Sequence, residues 1–323
     1  AGLRAWVREV VARERIRLGL VFSGPMAQYL DVDGLERRVI DFCDLDSAKW
    51  RQYAGERPWP LSWLYKREGE RLLAFERQAA QRTEASVFVT AAEAELFRRA
   101  APELGERISA IENGVDSEFF APAAHGEDPY PPGGPVLLFT GAMDYWPNID
   151  AVGWFAREIL PAVRRVHGDA RFYVVGRNPA PAVVALGSEH VCVTGTVPDV
   201  RPWLAHADVV VAPLRVARGI QNKVLEAMAM GRPVVVSAGS ASGLAGRPGV
   251  DFDAADGAGQ FAERVIALLS SRALRDRMGA SARHCVLQRY AWDAHLEGFE
   301  RLLEGSGARV AEVSDEELVE ARA

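Results

Sequence analysis

Cysteine is scarce: the 323 residues contain 3, Cys43, Cys192 and Cys285. They lie far apart and match no metal-ligand spacing, which argues against a disulfide framework and fits a reducing cytoplasm. Apolar runs are short, none approaching the ~18–20 residues of a membrane span, and the start of the sequence lacks the pattern of a signal peptide. Histidine is sparse and scattered (125, 167, 190, 206, 284 and 295), without partners at helical spacing. No metal site is expected, and packing or capping explains even His206 in DVRPWLAHAD. Positive charge is not in excess either: 38 Lys and Arg against 44 Asp and Glu leave a formal charge of -6. Binding to a phosphate backbone needs the opposite balance, so nucleic acid is not an expected partner. There is no G-x-S-x-G nucleophile elbow. The G-x-G-x-x-G spacing of a dinucleotide oxidoreductase is missing from both strand ends where it would fall, FTGAMDYW and VFSGPMAQ.

What is present reads as a soluble α/β protein, 49% hydrophobic and 25% charged, long enough for two domains. Residues 1–14 predict an amphipathic helix, 16–24 a short strand, and MAQYL the opening of a further helix. Residues 37–47 predict a buried strand running into an acidic loop, 85–90 a third strand and 107–116 a fourth. Helical spacing follows Trp63 and recurs over 91–101. Residues 121–135, rich in Pro and Gly, predict an interdomain linker. Beyond it, short apolar strands (136–141, 170–176, 191–195, 208–214, 233–237) alternate with helices, and helices fill roughly 256–304. That alternation predicts βαβ units and a parallel sheet with helices on both faces. The expected division is a first domain over 1–120, a second over 136–304, and a flexible tail over 305–323.

The richest segment is PLRVARGIQNKVLEAMAMGRPVVV, from Pro213 to Val236. It predicts a strand end, a helix opened by Gly219 and a second buried strand. Arg218, Lys223 and Glu226 would meet at the helix mouth, where free N–H groups attract an anion. Lysine suits phosphate, and a carboxylate accepts from ribose or sugar hydroxyls. An amphipathic helix with a surface ion pair explains the same residues. Other strands of this half end at Gly141, Gly176-Arg177 and Gly195-Thr196-Val197, and in a doubly wound sheet such ends share one edge. In the first half only DFCDLDSAKW pairs carboxylates at a strand end. Asp46 reads as a helix cap; Asp44 is the candidate for assisting an acceptor hydroxyl or a developing positive charge.

NGVD (113–116), GTVPDVRPWLAHADVVVAPL and LEAMAMGRPVVV resemble the motifs of GT-B glycosyltransferases of family 4 over most of residues 108–304. MAQYL (26–30), DLDSAKW (44–50), REGERLLAFER (67–77) and GIQNKVLEAMAMG (219–231) resemble one subgroup, the sugar transferases of the PEP-CTERM/exosortase exopolysaccharide system. The resemblance implies two Rossmann-like, doubly wound domains facing across a cleft. It also implies a retaining reaction without an essential metal or cofactor, in which a nucleotide-diphosphate sugar binds the second domain and a saccharide or lipid-linked saccharide the first. By that likeness the donor is held by Gly141, Gly195, Val197, Gly219, Gln221, Asn222, Lys223, Leu225 and Glu226.

Glu226 falls on the second Glu of the family's Glu–seven residues–Glu pattern, and Arg218 on the first. The family's Arg/Lys phosphate clamp after the first strand of the second domain is replaced by GAMDYWPN. Arg218 and Lys223 are therefore expected to take its place, with Asp44, Arg218 and Lys223 as the catalytic set. The first domain is expected to be truncated, short of about 80 residues at its N-terminal side by the usual domain size. A non-catalytic nucleotide-sugar-binding or scaffold protein is the second reading, and a nucleotide-sugar epimerase, for which no acid/base pair stands out, a third. The expected location is the cytoplasm or, for a lipid-linked acceptor, the inner face of the membrane with peripheral contact.

Overall fold

The computed structural model describes residues 2–55, 57–123, 126–216 and 220–305. The described chain forms two compact units, one from residues 2–112 with 295–305, the other from 113–294.

The first unit opens with α1 (Gly2–Glu14) and β1 (Leu18–Phe22), followed by β2 (Arg37–Cys43), α2 (Asp46–Gly55) and α3 (Leu61–Gln81). β3 (Ala85–Phe88), α4 (Ala91–Ala100) and β4 (Ile108–Ala110) complete its continuous part. The strands pair in parallel in the order β1-β2-β3-β4. Both faces of β2 and β3 are covered, as their unbroken apolar runs require. One face packs Ile40, Phe42, Phe88 and Phe97, with Phe42 stacked on Phe88 at 5.3 Å. The other packs Val39, Val87 and Ile111 under Phe299, Leu302 and Leu303. Along the edge strand β1, Leu18, Leu20 and Phe22 share one exposed face. MAQYL forms a 3-10 segment, Gly24–Tyr29, rather than a longer helix. The strand expected to run into an acidic loop does so at Cys43, whose φ of 64° takes the chain out of the sheet towards α2.

The second unit contains β5 (Val136–Thr140) and α5 (Trp146–Trp154), which continues through a π turn (Phe155–Ile159) into α6 (Leu160–Arg164). Pro161 supplies no N–H to this ladder, and the wider turn immediately before it absorbs the gap. Then follow β6 (Arg171–Val175), α7 (Pro181–Val184), β7 (Val191–Gly195), α8 (Arg201–His206), β8 (Val209–Ala212) and α9 (Asn222–Ala229). β9 (Val234–Ser237), α10 (Ala238–Ala241), β10 (Asp253–Ala255), α11 (Gly257–Ser270), α12 (Arg272–Arg289) and α13 (Trp292–Glu304) end the described chain. The parallel sheet has the order β10-β9-β8-β5-β6-β7, with apolar layers on both faces. Winding runs outward from β5 in one direction and from β8 in the other, so the switch point lies between these two strands.

Two boundaries differ from expectation. Residues 121–135 are not a free linker: Tyr130 is buried, donates its hydroxyl to Trp203 O at 2.6 Å and packs 4.6 Å from the Tyr173 ring. A single aromatic residue among prolines and glycines thus ties the segment to the second unit, and the division falls after Glu112. From His295 onward the chain belongs to the first unit, because Phe299, Leu302 and Leu303 fill that sheet's open face. Of the tail expected over 305–323, all beyond 305 lies outside the described residues.

Candidate functional site

In a doubly wound sheet, a crevice opens at the switch point, beyond the carboxyl ends of the strands. Gly141 follows β5, and α9 follows β8, so the segments singled out in the sequence reach the same edge. Three strand ends are laced together there. Gly141 N donates to Val175 O at 3.0 Å, Met143 N to Arg177 O at 2.8 Å, and Gly176 N to Gly195 O at 3.2 Å. The approach is so close that a Cβ on Gly176 would lie 1.6 Å from Gly141 O. Only glycine permits that contact.

Lys223 lies in the first turn of α9, after the N-cap Gln221. Its Nζ donates to Asn148 Oδ1 at 2.6 Å and lies 4.2 Å from the centre of the Phe139 ring. A Cβ on Gly141 would come within 3.0 Å of the same nitrogen. The far end of the Asn148 amide donates to Ala142 O at 2.8 Å, so both ends are used and its orientation is set. Burial pushes the Lys223 pKa down to about 7, while Glu226 three residues later opposes the shift. Burial raises the pKa of Glu226, and Lys223 lowers it. The half-buried lysine thus donates to a neutral amide, and Glu226 offsets only part of the effect of burial on it.

The other predicted donor residues surround this point to different degrees. Asn222 Oδ1 accepts from Asn113 Nδ2 at 3.3 Å, which brings the NGVD segment to the start of α9. Leu225 is fully buried among the apolar side chains under the sheet, so it forms the wall from behind. Gly195 ends β7, and Val197 packs against the core beside it. The loop that follows is braced by Asp199, which accepts from Arg201 Nη2 at 2.7 Å while the guanidinium covers Phe119 at 4.0 Å. Arg218 and Gly219 lie outside the described residues. The helix they were expected to open begins at Asn222.

Asp44 stands in the first unit, just past β2. Its Oδ2 accepts from Lys49 Nζ at 2.5 Å, and Asp46 Oδ1 from the same ammonium at 3.3 Å. The loop between them is held from beneath by buried carboxylates that the sequence reading passed over. Glu93 Oε1 accepts from Leu45 N at 3.2 Å, and Glu76 Oε1 from Ser47 N at 3.1 Å. The pattern Thr90–Glu93 looks like a capping box. Thr90 does cap α4, taking the Glu93 N–H at 3.2 Å, yet the glutamate side chain turns to the distant loop. Burial pushes Glu76 up to about 7, and among the described residues its Oε2 has no hydrogen-bond partner. Cys43, between Asp41 and Asp44, has its thiol pushed up to about 12 by burial and both carboxylates, which leaves it unreactive. His206 Nε2 donates to Gly126 O at 3.2 Å, a packing role. The three cysteines form no disulfide. Among the described residues, no group of His, Cys, Asp and Glu is placed to hold a metal, and no helix is long and apolar enough to cross a membrane.

A lysine and a glutamate thus stand on the helix that follows β8, beside the switch point. Residues 134–271 match the family model of the glycosyl transferases group 1. The matched stretch contains Gly141, Asn148, Lys223 and Glu226. No protein of curated function matches the chain. Solved structures share its fold. Sucrose-phosphate synthase of Thermosynechococcus elongatus is 18% identical with a TM-score of 0.74, over 94% of this chain and 78% of the other. HepE of Anabaena, in complex with UDP, is 16% identical with a TM-score of 0.66, over 94% and 82%. WaaG, a glycosyltransferase involved in lipopolysaccharide biosynthesis, is 20% identical with a TM-score of 0.64, over 93% and 81%. The two parallel-sheet units thus have the GT-B fold, and the matched domain supports a glycosyltransferase.

Proposed function

We propose that this chain moves a sugar from a nucleotide-diphosphate sugar to a saccharide or lipid-linked saccharide, with retention of configuration and without a metal or other cofactor. Its setting would be family 4 exopolysaccharide assembly of the PEP-CTERM/exosortase type. The observation that carries the reading is Lys223 beside Gly141 at the switch point, its ammonium donating to the Asn148 amide. A lysine whose pKa has fallen to about 7 gains most from a ligand that restores its charge, and a diphosphate does so. HepE of Anabaena was also solved with UDP and glucose and with UDP-glucose, which makes UDP the first base to test.

In this reading Lys223 and Arg218 take the charge of the departing diphosphate, and Glu226 receives the ribose hydroxyls. Gly141, Gly195, Val197, Gly219, Gln221, Asn222 and Leu225 shape the donor seat. The acceptor oxygen forms its bond to the anomeric carbon on the face from which the diphosphate oxygen leaves. That oxygen takes the acceptor proton, so no strong protein base is needed. Asp44, aligned by Lys49, would orient the acceptor hydroxyl.

Thermal-shift measurements against UDP-, GDP- and ADP-sugars test the donor seat. A true donor at about 100 times its dissociation constant adds ~2.7 kcal/mol of stability. No shift with any of the three removes the reading. Donor binding without transfer or hydrolysis gives instead a nucleotide-sugar-binding scaffold.

A further inference from the structure

The turn between α2 and α3 exposes more apolar surface than its own packing needs. Trp59 is 80% exposed, Trp63 59%, Leu61 43% and Leu64 38%, all within six residues of one helix start. The stem beneath them is closely packed. A Cβ on Gly69 of α3 would lie 3.1 Å from Ser47 O and 3.3 Å from Trp50 Cβ, and Trp50 meets Tyr65 edge-on at 5.2 Å. Trp59 and Trp63 therefore crown a stiff hairpin without filling its core.

Charge at this tip runs against the rest of the chain. Residues 51–67 hold four basic side chains, Arg51, Arg57, Lys66 and Arg67, and one acidic, Glu56, in a protein whose formal charge is -6. Arg67 lies over the Trp63 ring at 5.8 Å. A groove of about 640 Å³ opens beside the indole, lined by Arg51, Lys66 and Glu70 among others. Indoles favour the boundary between headgroups and acyl chains, and Lys and Arg beside them favour anionic headgroups.

We propose that the α2–α3 tip docks on an anionic lipid surface, with Trp59 and Trp63 at the acyl boundary and the surrounding arginines and Lys66 against the headgroup phosphates. A second copy of the chain is a poorer occupant, because two such tips would bring like charges together. The inference is independent of the transfer reaction.

Co-sedimentation with vesicles tests it, using neutral phosphatidylcholine alone or with about 30% phosphatidylglycerol. The wild type is expected to bind the anionic vesicles at least about tenfold better, and to be released by roughly 0.5 M salt. Trp59→Ser with Trp63→Ser, and separately Arg57→Glu with Lys66→Glu, should each lower binding about tenfold or more while the circular dichroism stays that of the wild type. Should the tryptophan variant fail to fold, the charge variant, altered only at exposed groups, decides alone. Equal binding to both vesicle types, or variants that match the wild type, overturns the proposal. So does a wild-type dimer that the tryptophan variant dissolves while neither protein binds lipid, since the face would then belong to a second copy.

Discussion

Lys223 in the second unit and Glu76 in the first are both ionisable groups pushed to about 7 by burial, but their surroundings differ. Glu76 is 2% exposed and spends one oxygen on the Ser47 N–H, so it serves the chain's own loop. Lys223 is half-buried beside a strand end and donates to a neutral amide, with Glu226 offsetting only part of the effect of burial. A buried group bonded to backbone has found its partner in the fold. A shifted group with a neutral partner at a switch point is a candidate for holding a ligand.

The comparison breaks most sharply at Lys223. Lys223→Ala should lower turnover by roughly 10²–10³, measured as nucleotide released from donor, because the charge on the leaving group loses its partner. Near-normal turnover would put the diphosphate elsewhere. Gly176→Ala should cost roughly 3 kcal/mol or more, since its Cβ would lie 1.6 Å from Gly141 O. A lowered melting temperature together with loss of the donor-induced shift checks it. Gly239→Ala, with nothing within 4 Å of the added Cβ, serves as the control.

Glu76 sharpens the contrast through pH. Its folded pKa, about 7, lies above the ordinary 4.5, so its contribution to stability is complete below about 4.5 and is lost as pH rises through about 7. Over that window the loss is roughly 3 kcal/mol at most. Urea unfolding at pH 5 and pH 8 should show the decline in the wild type and a flatter profile in Glu76→Gln. Lys223 acts through the ligand instead. Donor affinity should fall by up to about tenfold per pH unit above about 7 as the free lysine loses its proton, and Lys223→Arg should remove that dependence. The smallest effect expected is at Glu226→Gln, about tenfold in donor affinity by calorimetry, for one weakened charge-assisted hydrogen bond.

Much of the second unit was legible in its alternation. Runs such as VLLFT and DVVVA are too apolar for any place but the interior of a parallel sheet, and the Gly141 and Pro213 that follow them mark the edge where ligands sit. Lys223 itself carried a signal beyond its spacing from Glu226: it is one of three lysines among 38 basic residues, the rest being arginine. Its partner Asn148 could not be read, because 75 residues separate the two and only the order β8-β5 makes them neighbours. In the first unit, Glu76 and Glu93 look like ordinary solvent-facing members of helical patterns. Nothing local says that they turn inward to hold the Asp44 loop. The division after Glu112, and the return of the chain at His295, were hidden for a related reason. Tyr130 and Leu302 reveal which core they belong to only by filling it.

The sequence alone therefore determined the parallel α/β architecture and the segment at the helix mouth, since hydrophobic period and backbone freedom act over a few residues at a time. Tertiary structure alone decided which groups face one another there, which carboxylates are buried, and where one unit stops. Those outcomes depend on sheet order and on the desolvation of groups brought together from distant parts of the chain, and neither is encoded in any short stretch of it.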